Sequence, residues 1–187
     1  MRIIAGTAKG RILQSPRDQA IRPTSDKVRG AIFNALKSRV DIEGAVVLDC
    51  FCGSGALGLE ALSRGAAQCI FIDKERESLD LARANAKALN FSGQSHFILV
   101  DVNKIKRHED APAALAFLDP PYHKNLVLPA LQSLAARGWL AAGAVCVVET
   151  EKGAALAVPG FTALTDKVYG TTQVHFLQLI SGPDLAQ

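Results

Sequence analysis

From residue 46 onward the chain alternates short apolar runs with longer amphipathic segments, and this rhythm limits the folds open to it. Val46-Val47-Leu48, Cys69-Ile70-Phe71-Ile72, Phe97-Ile98-Leu99-Val100, Leu115–Leu118 and Ala144–Val148 carry no polar interruption. Between them, Ala56–Arg64, Glu75–Leu89 and Leu126–Ala136 read as helices; Gly65 stops the first, and Leu79, Ala82, Ala86 and Leu89 share one face of the second. A strand without polar positions is covered on both faces, and strands separated by helices lie parallel. Two further runs, Phe161–Tyr169 and Thr172–Ile180, are separated only by Gly170-Thr171, too close for a helical crossover. They predict an antiparallel hairpin on one sheet edge. The expected fold is α/β, with a Rossmann-like sheet of seven strands, parallel except at its C-terminal hairpin.

The first 22 residues stand apart from this pattern. Arg2–Ala5 and Arg11–Gln14 flank Gly6-Thr7-Ala8-Lys9-Gly10, which predicts a small hairpin with two glycine hinges. A polar connection, Ser15 to Arg22, leads to Pro23-Thr24-Ser25-Asp26, where Thr24 or Ser25 can cap a helix carrying Val28, Ile32, Leu36 and Val40. The expected division is a basic extension over residues 1–22 and a main domain over 23–187. The charge is uneven. Residues 1–29 hold seven basic and two acidic residues, whereas the rest holds 14 basic and 16 acidic ones. Such a basic segment on a near-neutral body suits a phosphate backbone, with a simple solvated face as the alternative. No apolar run approaches the roughly 18 residues that span a bilayer, and the N-terminus lacks an apolar leader. Cys50, Cys52, Cys69 and Cys146 all lie in apolar stretches without a Cys-x-x-Cys pair. Reduced, buried thiols, no metal site and a cytoplasmic location are expected.

Asp119-Pro120-Pro121-Tyr122 follows the run Ala114-Leu115-Ala116-Phe117-Leu118. Two consecutive prolines fix φ and remove two N–H donors, so the backbone there can only accept. A carboxylate, an accepting backbone and an aromatic face suit a flat base with an exocyclic amine; the alternative is an ordinary surface turn.

Ligands of open α/β sheets bind beyond the carboxyl ends of the strands. Four consecutive strands here end in an acid: Asp49, Asp73, Asp101 and Asp119. Gly53-Ser54-Gly55-Ala56-Leu57-Gly58 also satisfies the Gly-x-Gly-x-x-Gly dinucleotide pattern, with Asp73 placed for a ribose diol. Asp49 argues against a pyrophosphate, because like charges about 4 Å apart repel by roughly 1–4 kcal/mol. S-adenosylmethionine has no phosphate, and its sulfonium and amino groups are positive. On that reading Gly53 and Gly55 let the backbone approach the methionine moiety, Asp73 with neighbouring Lys74 meets the ribose, and Asp101 with Val102 meets the adenine. Phe51 walls the pocket or belongs to the core.

These motifs resemble the class I methyltransferases whose fourth motif is Asp/Asn-Pro-Pro-Tyr/Phe. Within them the chain is similar to the RsmD family of 16S ribosomal RNA guanine-N2 methyltransferases. The specific part of the resemblance is Arg2-Ile3-Ile4-Ala5-Gly6 with Lys9-Gly10-Arg11, and Arg22-Pro23-Thr24-Ser25-Asp26-Lys27-Val28-Arg29 running to Phe33-Asn34. The resemblance implies S-adenosylmethionine as cofactor and N2 of the 966-type guanine, on an assembling small ribosomal subunit, as target. It implies that Thr24, Asp26 and Arg29 lie beside the methionine end of the cofactor and the base. It also implies that the basic hairpin grips RNA, with Arg2, Lys9, Arg11, Arg22 and Arg29 as contacts. Asp119, Pro120 and Tyr122 are the expected catalytic residues, Asp119 also facing the cofactor, in a monomer without membrane attachment. The competing functions are an adenine-N6 DNA methyltransferase, for which 187 residues leave no duplex-reading insertion, a dinucleotide oxidoreductase, and a non-catalytic RNA-binding module. His96, His108, His123 and His175 show no ligand spacing, and Trp139 reads as a core or edge anchor.

Overall fold

A computed structural model describes residues 1–15, 25–122 and 124–180. Its centre is a seven-stranded sheet in the order β3-β2-β1-β4-β5-β7-β6. The strands are β1 (Val46–Cys50), β2 (Gln68–Asp73), β3 (Ser95–Leu99), β4 (Ala113–Leu118), β5 (Leu140–Glu151), β6 (Phe161–Tyr169) and β7 (Thr172–Leu179). The first five pair in parallel, and β7 runs antiparallel to both β5 and β6. The expected sheet and its C-terminal hairpin are therefore present. The chain steps outward from β1 to β2 and β3, then returns to the other side of β1 with β4. The switch point between β1 and β4 is where a ligand crevice opens.

Among the described residues four α-helices flank the sheet: α1 (Asp26–Leu36), α2 (Ala56–Ser63), α3 (Arg76–Ala88) and α4 (Val127–Ala136). Alternation along the strands divides the core into two layers. Val47, Phe71, Phe117, Val147 and Phe176 face one layer, shared with residues of α1, α2 and α3. Leu48, Ile72, Leu118, Val148 and Leu177 face the other, shared with α4 and Trp139. Every residue of α2 is buried, because the N-terminal hairpin covers its outer side. Of the two candidate caps for α1, the Ser25 side chain accepts from the Val28 N–H at 3.3 Å; Thr24 lies outside the described residues. The helix ends at Leu36, so Val40, expected as its last apolar position, packs from beyond it.

The hairpin of residues 2–13 closes through one bridge, Arg2 to Ile12, with Ile3 N–H donating to the Arg11 carbonyl at 2.9 Å. It shares the core of the main domain: Ile3 and Leu13 are buried in the α2 layer. Glu60 of α2, fully buried, accepts from Ile4 and Ala5 N–H at 2.7 and 3.0 Å. Ser63 binds Ala8 N–H and the Ala5 carbonyl through its hydroxyl. Gly6, at φ +81°, sits so close that a Cβ there would lie 1.6 Å from the Ser63 carbonyl oxygen; only glycine permits this seat. All four cysteines are buried free thiols, and burial pushes each of them upward in pKa.

Candidate active site

The register fixes the geometry of the sheet's carboxyl edge. Ile72, Cys50, Leu118 and Val148 share one rung across β2, β1, β4 and β5. One residue further on stand Asp73, Phe51, Asp119 and Glu149. Asp49 lies one rung inside, beside Phe71 and Phe117, and Asp101 lies two residues beyond the end of β3. The rim predicted from four strand ends is thus present but stepped.

At the middle of this rung the backbone leaves the sheet. Phe51, Gly53 and Gly55 take φ of +57°, +51° and +76°. Glycine makes the left-handed region accessible at two of these; Phe51 holds it at a strain of roughly 1–2 kcal/mol. The three glycines of the motif do different work. A Cβ at Gly53 would meet nothing within 4 Å, so this side of the loop is open to a ligand. A Cβ at Gly58 would fall 2.5 Å from the Cys69 sulfur and from the Phe71 ring, so this glycine is required by helix-on-strand packing.

The Asp49 carboxylate accepts from Gly58 N–H, the third residue of α2, at 2.8 Å. In a dinucleotide site that helix N-terminus would receive phosphate; here a carboxylate occupies the anion position. Burial raises the Asp49 pKa to about 8, opposed by the Gly58 N–H and reinforced by the charges of Asp119 and Asp73. A carboxyl group seated there leaves no place for a phosphate, and a positively charged ligand would favour its ionised form.

Asp73 is buried and held by two backbone donors, Gly53 N–H at 3.2 Å and Glu75 N–H at 2.9 Å, one on each carboxylate oxygen. Each oxygen retains a second lone pair. The next residue, Lys74, lines a pocket together with Phe51, Val100, Asp101, Val102, Lys124 and Leu126, whereas Asp73 itself is not among the lining residues. Phe51 therefore both walls the pocket and packs on the core. Asp101 accepts from Asn103 N–H at 3.0 Å, and Lys74 pairs with Glu75 at 3.4 Å.

Asp119 is half-buried and Pro120 buried. Tyr122 leans from the exit of β4 across to β7, its hydroxyl 3.1 Å from that of Thr172. This hydroxyl pair links the exit of β4 to β7, two strands away in the sheet.

Some expected contacts lie elsewhere. Arg29 is no surface RNA contact: it has no exposed area, pairs with Asp26 at 2.9 Å, lies 3.8 Å from Glu60 and donates to the Arg2 carbonyl. A guanidinium so enclosed anchors the hairpin to α1 and α2 instead of reaching a phosphate. Among the described contacts Asp26 binds Arg2 and Arg29; burial opposes its ionisation, but these donors outweigh it and hold its pKa low. Arg2, Lys9 and Arg11 are exposed on the hairpin, whereas Arg22 and His123 lie outside the described residues. One group was missed. Glu149, 4% exposed, escaped notice because β5 continues past its apolar run. His175, also buried, bridges Asp166 at 3.0 Å and Thr150 at 2.9 Å inside the C-terminal hairpin.

Residues 1–178 match the family model described as Conserved hypothetical protein 95, the RsmD family. The chain belongs to that family. Ribosomal RNA small subunit methyltransferase D of Haemophilus influenzae is 34% identical to this RsmD-family chain over 182 residues, 95% of the chain and 93% of the relative. The protein of the same name from Escherichia coli K12 is 38% identical over 151 residues, covering 81% and 75%. Among solved structures, Escherichia coli yhhF superposes with a TM-score of 0.84 at 34% identity, covering 97% of this chain and 99% of that one. The fold of this family member is that of the class I methyltransferases.

Proposed function

We propose that this chain methylates the exocyclic N2 of a guanine in small-subunit ribosomal RNA, the 966-type position, using S-adenosylmethionine on an assembling particle. The reading also places it in the cytoplasm, acting as a monomer. The observation that carries the proposal is that Asp73 and Asp119 each follow the Ile72–Cys50–Leu118 rung by one residue, on either side of the switch point of the sheet. The family's relatives, named for small-subunit ribosomal RNA methylation, support it.

Asp73 would hold the ribose hydroxyls, Asp101 and Val102 the adenine, and the Gly53 backbone the methionine moiety. When bound, S-adenosylmethionine supplies an electrophilic methyl group on a sulfonium. The guanine N2 lone pair is delocalised into the ring, so the protein must weaken that conjugation. Asp119 and the Pro120 carbonyl each accept one N2–H, which turns the lone pair out of the ring plane. Tyr122 stacks on the base, an interaction worth roughly 1–3 kcal/mol, and Asp119 takes the released proton late. Positioning and electrostatics carry the rate, without a covalent enzyme intermediate. The target base leaves its stack to enter, and Arg2, Lys9 and Arg11 supply phosphate contacts.

The test is transfer of a labelled methyl group to undermethylated small ribosomal subunits and, separately, to duplex DNA. N2-methylguanosine at one small-subunit position, mapped by mass, is the expected product. Label in DNA adenine, or none on the subunit, would overturn the proposal.

A further inference from the structure

The amine slot has a neighbour on the side away from the cofactor pocket. Leu118 pairs with Val148 in the parallel β4–β5 ladder, so Asp119 and Glu149 follow on the same rung, one strand spacing of roughly 4.8 Å apart. Val147 faces the layer that holds Phe117, and alternation turns Glu149 to the face of Asp119. Glu149 is 4% exposed. Both residues have interactions within the protein. Each still has acceptor capacity, since a carboxylate offers about four lone-pair sites.

A second observation bears on the position of the base. The Tyr122 hydroxyl is tied to Thr172, the residue of β7 opposite Glu151 of β5. A ring stretched from the end of β4 to the start of β7 crosses the end of β5. With N2 at Asp119 and the cofactor pocket toward β1 and β2, the rest of a base stacked on that ring extends over β5. Glu149 is the polar group of that strand on the same rung.

We infer that Glu149 is the specificity-determining residue for guanine, accepting the N1–H next to the amine held by Asp119. Guanine presents N1–H and N2–H donors side by side along its Watson–Crick edge, matching two adjacent carboxylates. Adenine, with an exocyclic amine as well, presents a bare N1 lone pair, which brings no N–H for the carboxylate to accept. Discrimination between the purines then arises from one rung of the sheet and needs no added recognition domain. This inference rests on the guanine-N2 reading given above.

The probe is 2-aminopurine, which keeps the reacting amine but carries an unprotonated N1. Small subunits are reconstituted on ligated RNA bearing guanine or 2-aminopurine at the target position. Wild-type protein should favour guanine by at least about 100-fold in kcat/KM, since sites built to pair a polar group reject analogues lacking it strongly. In Glu149→Gln the side-chain amide can turn to donate to N1, and the ratio should fall below about 10-fold. Because each ratio is taken within one variant, a change in folded fraction cancels. Wild type that methylates both bases equally, or a Glu149→Gln ratio equal to that of wild type, would overturn the assignment. Should that variant fail to fold, equal wild-type rates on the two bases would still overturn the assignment. Absence of N2-methylguanosine from wild type on guanine particles would overturn the underlying reading as well, so the two failures are distinguishable.

Discussion

Asp49→Asn is the perturbation with the clearest calculated outcome. Asp49 is 3% exposed, and its pKa rises from the ordinary 3.8 to about 8 because burial disfavours the charged form more than the Gly58 N–H supports it. Between those two values the folded protein keeps a proton that the unfolded chain has released. Folding stability from this group is therefore fully present below pH 4 and drains away as pH rises toward 8. Linkage gives a slope of about 1.4 kcal/mol per pH unit for one such proton, or ~3 kcal/mol between pH 5 and pH 7. Asparagine retains an acceptor for Gly58 N–H and does not titrate. In urea unfolding, wild type should lose ~3 kcal/mol relative to Asp49→Asn over those two pH units. The variant should therefore be the more stable protein at pH 7 and should lose cofactor affinity. A wild-type-minus-variant difference that stays flat from pH 5 to pH 7 would refute the argument that this carboxylate is buried at an energetic cost for the sake of a cationic ligand.

Asp119→Ala should lower transfer at least about 100-fold while S-adenosylhomocysteine affinity, measured by calorimetry, changes less than about threefold, because the group acts on the amine. Glu60→Ala removes the acceptor of Ile4, Ala5 and Arg64 and leaves Arg29 buried beside a void. Unfolding free energy should fall by about 3–5 kcal/mol, with proteolysis reporting release of residues 1–15. Lys9→Ala and Arg11→Ala should each reduce the slope of log affinity for RNA against log salt by about 0.7–0.9 without altering the product. An unchanged slope would remove the hairpin from the RNA surface.

The sheet was legible because its strands are continuous apolar runs, and periodicity separates those from the helices without ambiguity. Boundaries erred where polarity and strand geometry part company. β3 begins at Ser95 instead of Phe97 and stops at Leu99, so Asp101 lies in the connection that follows and not at a strand tip. β5 runs on to Glu151 because β7 pairs with Glu149, Thr150 and Glu151. An antiparallel neighbour far along the chain extended that strand through polar residues, and the apolar run alone could not report it. Glu149 was hidden for the same reason. The fate of Arg29 was equally out of reach: arginine is read as a surface cation, and only the meeting of Asp26 and Glu60, 34 positions apart in the sequence, creates a buried seat for it. Within the glycine motif a Cβ at Gly53 would meet open space, whereas Gly58 answers to packing against Phe71, which a pattern cannot distinguish.

A crystal structure with S-adenosylhomocysteine bound tests the central claim most directly. The account predicts both ribose hydroxyls within hydrogen-bond reach of Asp73, the adenine beside Asp101 and Val102, and the sulfur turned toward Asp119. A ligand seated elsewhere, or one whose ribose makes no contact with the end of β2, would contradict it.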